Sequence, residues 1–155
     1  MAVMLDDGKP SQSLAAYHGA KAKGGAALTI IEAARVHPTG DSGRPAIRAY
    51  DPACVPGYKK LAGECQPHGC LVFGQLTHPG REMALASDGS RPVAYAPAAI
   101  PNERFHVMPR AMPISLINEI IKGFELSASH LREAGLDGIE LVASHGYLLG
   151  QFLNP

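Results

Sequence analysis

The sequence predicts a parallel α/β fold, and two observations carry that prediction. A unit of helical stretch, glycine, apolar run and polar loop recurs three times along the chain. Each apolar run ends in polar residues rather than continuing into a longer apolar stretch. Helices alternating with buried strands pair their strands in parallel through right-handed crossovers.

The first unit places a short helix over Ser11 to Lys23, with Leu14 and Tyr17 on one face. Gly24-Gly25 ends it, because glycine takes a left-handed cap without a steric penalty. Ala26 to Ile31 follows, an unbroken apolar run suited to a strand covered on both faces. The second unit has Pro56 near a helix start, His68-Gly69 at its end, and a strand over Cys70 to Leu76. In the third, Ser115 is the expected N-cap. Ile117, Ile120, Ile121, Phe124, Ala128 and Leu131 then repeat at helical spacing, Gly135 closes the helix, and Gly138 to Ser144 is the strand. Between Thr77 and Met112 runs a long stretch rich in proline, glycine and alanine, expected to be a functional excursion at the end where strands finish.

A chain of 155 residues fits one domain, and no stretch reads as a linker to a second. Apolar residues make up 46% and charged residues 18%, the balance of an ordinary globular protein. Acidic and basic side chains cancel at 14 each, so nothing points to a nucleic acid or an anionic membrane as partner. No run approaches the roughly 20 apolar residues of a membrane span. The N-terminal MAVMLDDGKP lacks the pattern of a secretory signal. Cys54, Cys65 and Cys70 form no paired CxxC arrangement, which suits reduced thiols in the cytoplasm. Cys65 and Cys70 with His68 or His78 lack the spacing of a tetrahedral metal site.

The chemistry-bearing residues gather where the strands end: Glu32, then Gln75 with Thr77 and His78, then Ser144 with His145 and Tyr147. The carboxyl ends of parallel strands are where α/β folds build their ligand sites. An amide at Gln75 offers donor and acceptor together, matching the edge of a pyrimidine-like ring, or else it satisfies loop backbone. His145-Gly146-Tyr147 offers a hydrogen-bond donor and a proton donor, or else a structural histidine and a core tyrosine. His18, His37, His68, His106 and His130 are expected in surface or loop roles. No GxGxxG, P-loop, HExxH or GxSxG element occurs.

Three stretches carry a family resemblance. YHGAKAKGGAALTIIE (Tyr17–Glu32), GQLTHPGR (Gly74–Arg81) and AGLDGIELVASHGYLLGQFLNP (Ala134–Pro155) resemble, in order and spacing, segments of the Old Yellow Enzyme and 2,4-dienoyl-CoA reductase (NADH:flavin oxidoreductase) family. The resemblance implies a TIM (β/α)8 barrel that holds FMN at its C-terminal mouth. Residues 1–155 would form about the first half of that domain, since a full barrel has eight strands and roughly 250 residues. Ala2-Val3-Met4 would be a further, truncated strand. By position, Ala33 would lie against the flavin through its backbone, and Gln75 would bond its pyrimidine edge. His145 would hold the substrate over the flavin, and Tyr147 would donate a proton.

Further implications follow from the same resemblance. FMN is the implied cofactor and NAD(P)H the electron donor, with a 4Fe–4S cluster beyond this chain in one branch of the family. The implied reaction reduces an activated alkene such as an enone or dienoyl thioester. Val142 stands where the family's H-x-x-H pair has its first histidine, and the QFLNP ending leans toward the amine-oxidising branch. An amine dehydrogenase or demethylase of the trimethylamine-dehydrogenase type is therefore the alternative. A third is a catalytically incomplete fragment that binds FMN weakly, because the phosphate-binding loops would follow Pro155. Open strand edges would then favour a homo-oligomer.

Overall fold

The computed structural model describes residues 5–42, 45–85, 88–104 and 106–154. The expected strand at Ala2-Val3-Met4 lies outside them. A short hairpin, β1 (Leu5–Asp6) and β2 (Lys9–Pro10), leads into helix α1 (Gln12–Lys23). Ser11 caps α1 by accepting the Leu14 N–H at 3.2 Å, and Gly25, at φ 96°, turns the chain out of it.

Strand β3 (Leu28–Arg35) starts two residues later than expected and runs four residues further, through Glu32, Ala33, Ala34 and Arg35. A short β4 (Ile47–Arg48) follows, then α2 (Val55–Cys65), which ends in a 3-10 turn over Gln66–His68 closed by a left-handed Gly69. Next comes β5 (Leu71–Thr77). The Thr77–Met112 excursion is folded rather than structureless: β6 (Tyr95–Ala96) pairs in parallel with β7 (Arg110–Ala111), over a small cluster of Met83, Ala94 and Val107. Helix α3 (Ile114–Glu133), β8 (Gly138–Leu141) and α4 (Leu148–Leu153) complete the order.

The N-cap of α3 is Pro113, not Ser115. Proline fixes φ and favours an extended residue at the boundary, while the Met112 N–H is anchored on the Ala96 carbonyl, so the chain is already helical at Ile114. The final strand is also shorter than expected and stops at Leu141, leaving Val142–Ser144 as loop.

The main sheet runs β4-β3-β5-β8, all parallel. Adjacent long strands follow chain order, with no reversal of direction along the sheet. Thr29, Ile31 and Ala34 of β3 and Val72, Gly74 and Leu76 of β5 point into the helix layer, where Leu14, Tyr58, Leu61 and Leu131 close the core. The opposite face is uncovered along the first residues of its strands and closes toward their ends, where Thr77 is buried. Leu28 and Ile30 remain 46% and 42% exposed, and Leu71 is exposed beside them. The expectation of strands buried on both faces is thus corrected: helices lie on one side only. Strands in chain order with helices on one face are what the beginning of a (β/α) barrel requires.

Two histidines expected at the surface are buried instead. His18 Nδ1 lies 2.6 Å from Thr29 Oγ1, and His130 Nδ1 lies 2.8 Å from the Ala49 carbonyl. Both tie a helix to the chain beneath it.

Candidate active site

One irregularity decides what faces the open side of the sheet. Ile31 pairs with Gly74 and Ala33 with Gln75, so Glu32 is an extra residue in β3 with no partner on β5. Plain alternation from Leu28 and Ile30 would put Glu32 and Ala34 on the open face. The bulge puts Ala33 and Arg35 there instead, beside Gln75 and Thr77. Bulges commonly re-aim side chains next to active sites.

Gln75 neither bonds loop backbone nor stands alone. Its Nε2 donates to Glu140 Oε2 at 2.9 Å, across the β5–β8 pair, on the same open face. Its Oε1 has no hydrogen-bond partner among the described residues, so an acceptor faces the uncovered surface next to Ala33.

Past the strand ends, the loops after β5 and β8 are stitched together. Gln151 of α4 donates through Nε2 to the carbonyls of Pro79, at 3.2 Å, and Gly146, at 2.6 Å. Its Oε1 accepts the Arg81 N–H at 3.3 Å, and the Leu148 N–H bonds the His78 carbonyl at 3.0 Å. The GQLTHPGR and HGYLLGQFLNP segments are therefore one structural unit. His78 is buried beneath it. The Gly80 N–H donates to its Nδ1 at 3.1 Å, which assigns the ring proton to Nε2, 3.1 Å from Thr39 Oγ1. Thr39 Oγ1 lies 2.8 Å from His37 Nδ1. Burial, with the charges of His37 and Arg35 adding to it, pushes His78 down to about 3, so it is neutral in the folded protein.

His145 and Tyr147 come together with Arg35, Glu82 and Arg104 around a cavity of about 140 Å³. His145 sits at φ 60°, a left-handed conformation uncommon for a residue with a side chain, and Gly146 follows at φ 69°. This turn brings the two rings to 5.9 Å between centroids. Ser144 Oγ, 2.7 Å from His145 Nδ1, fixes the imidazole and leaves Nε2 for the pocket. Val142, by contrast, is an apolar side chain only 6% exposed, and its N–H is spent on the Leu76 carbonyl.

Arg35 went unnoticed in the sequence, although a cation ending an apolar run was a visible signal. Among the described residues its Nε has no partner, and its Nη2 reaches only Ser42 Oγ, at 3.4 Å. Burial lowers its pKa from the ordinary value, against the opposite pull of Tyr147 and Asp41. Of the sequence-derived set, Ala33 and Gln75 are neighbours on the sheet, while His145 and Tyr147 share the pocket at its end. Among the described residues no group of three or more histidine, cysteine or acidic side chains could hold a metal ion, and Cys54, Cys65 and Cys70 are buried free thiols. No described helix is long and apolar enough to cross a membrane.

A parallel α/β unit with helices on one face and its polar residues beyond the strand ends is the arrangement with which a (β/α) barrel begins. A model of the NADH:flavin oxidoreductase / NADH oxidase family matches residues 1–155, and the chain belongs to that family. It is similar to an NADH oxidase of Thermoanaerobacter brockii, 37% identical over 152 residues that cover 97% of this chain and 23% of that protein. An NADPH dehydrogenase of Bacillus velezensis is 35% identical over 149 residues, covering 96% of this chain and 43% of that protein. One from Listeria monocytogenes is 34% identical over 140 residues, covering 90% and 40%. The chain therefore spans less than half the length of these relatives.

The residues present fit an FMN ring. Gln75 Oε1 is an unpartnered acceptor on the open face, suited to a ring N–H, and the small Ala33 beside it leaves room for a flat group.

Proposed function

We propose that this chain carries part of the active site of an FMN-dependent oxidoreductase that draws electrons from NAD(P)H and reduces an activated alkene, such as an enone or dienoyl thioester. The supporting observation is the meeting of two pairs at one end of the sheet: Ala33 with Gln75 on its open face, and His145 with Tyr147 in the adjoining pocket. These strands would form the first part of a TIM barrel.

FMN, when bound, supplies the hydride chemistry, and the protein's share is placement and proton supply. Gln75 and the backbone at Ala33 would hold the ring edge. His145, oriented by Ser144, offers Nε2 to a substrate carbonyl and withdraws charge from the double bond. Tyr147 holds a proton on its phenolic oxygen for the carbon next to the one reduced. In the flavin-loaded enzyme, Tyr147→Phe should slow alkene reduction about a hundredfold or more, the usual range for losing a general acid. Unchanged reduction by that variant would remove Tyr147 from the reaction. Any iron–sulfur cluster of the enzyme would take its ligands from outside this chain.

Val142 supports a second reading. An apolar residue there cannot join His145 in a two-donor grip on a carbonyl oxygen, and an amine substrate needs no such grip. Demethylation or dehydrogenation of an amine, with no alkene reduced, would favour it.

A further inference from the structure

The donor surplus at Arg35 points to a charge on the substrate. Arginine carries five N–H donors in a planar fork and keeps its charge in proteins. Here one N–H makes a 3.4 Å bond to Ser42, while Nε is buried without a partner among the described residues. Asp41, whose charge acts on the guanidinium from a distance, makes its direct contacts elsewhere. Asp41 Oδ2 lies 3.3 Å from Arg48 Nε and accepts the Tyr50 hydroxyl at 2.6 Å. A half-buried cation whose Nε is shut off from solvent is costly unless an anion joins it.

The surroundings set the anion's size and sign. Two guanidiniums, Arg35 and Arg104, line the pocket against one carboxylate, Glu82, which itself accepts from the Asn102 amide. At about 140 Å³ the space is well below the roughly 300 Å³ at which whole-ligand pockets begin. It suits the head of a substrate rather than all of it.

We propose that Arg35 binds a carboxylate borne by the substrate, holding it in the pocket that His145 and Tyr147 share. The assignment rests on the strand-end site proposed above and adds the substrate's class: an anionic acid rather than a neutral ketone. Position explains why Arg35 can do this. It stands two residues beyond Ala33 on the same face of β3 and lines the pocket of His145 and Tyr147, so a group gripped there would lie next to the proton donor. A planar guanidinium meets a carboxylate through two parallel hydrogen bonds, which fixes orientation as well as charge.

The test uses benzoate and its neutral isostere benzamide as probes, with binding followed by ligand-observed NMR on the flavin-loaded enzyme and on its flavin-free form. Wild type should bind benzoate about tenfold or more tightly than benzamide. R35Q should abolish the difference, R35K should keep part of it, and R104Q should keep most of it. Equal affinities in wild type, or a preference that survives R35Q, would overturn the assignment. Should R35Q fail to fold, the Nε–H resonance of Arg35 in wild type decides: benzoate should shift it, and an unmoved resonance refutes the contact. Because the flavin-free form is measured alongside, failure of the FMN reading and failure of the carboxylate site give different results.

Discussion

Ala33 and Gln75 are register partners on neighbouring strands, on the far side of a bulge that leaves Glu32 unpaired. What the open face of the sheet presents depends on that one skipped residue. It turns the small alanine and the following arginine toward the open face, where alternation alone would have presented Glu32 and Ala34.

The loops that carry the site are held by a single side chain, and its loss should be felt. Gln151→Leu removes three hydrogen bonds joining the Pro79–Arg81 turn to Gly146. It should cost about 1–3 kcal/mol of stability, because the part-buried Pro79 carbonyl and Arg81 N–H lose their partner. Chemical denaturation measures this, and limited proteolysis should cut the two loops faster in the variant.

Gly123 sets how closely α3 approaches the sheet. A methyl at that position would run into the carbonyl oxygen of Val36, which is backbone and cannot move aside. Gly123→Ala should lower stability by about 1–3 kcal/mol, the range for overpacking, although alanine is the better helix former. A variant as stable as wild type would mean that α3 can slide outward.

His78 makes stability depend on pH with a definite sign. Its folded-state pKa is depressed from 6.5 to about 3, so between those values the unfolded chain binds the proton and the folded one does not. Stability from this group is complete above about 6.5 and is lost as pH falls toward about 3. Unfolding at pH 7.5 and pH 5 should show the drop, and His78→Asn should flatten it. A slope identical in wild type and variant would rule out His78 as the source.

Much of this fold was legible because it depends on local signals. Ser11, Gly69 and Gly135 act on the backbone where they stand, and the spacing of Ile120, Phe124 and Leu131 marks the buried side of α3. What escaped depends on partners distant in sequence. An apolar run cannot say that Leu28 and Ile30 face an open surface, since that depends on whether another layer covers them. Pro113 displaced Ser115 as the cap because Met112 is tied to Ala96. His18 and His130 found buried acceptors on other elements.

The site divides along the same line. Gln75, His145 and Tyr147 stood out as polar residues where apolar strands end. Arg35 did not, because a bulge is a property of two strands paired together, and period-2 reading of β3 alone puts that side chain on the wrong face. Gln151 sits in an apolar helix and reveals its purpose only once the Pro79 loop lies against it.

On the proposed reading, FMN binds the open sheet face at Gln75. FMN titration of the flavin-stripped enzyme and its Gln75→Leu variant, followed by quenching of flavin fluorescence, tests it most directly. Saturable binding that weakens about tenfold in the variant is the expected result, for the loss of a hydrogen bond at a buried ring edge. Equal affinity in the two proteins would contradict the placement of the cofactor on this face.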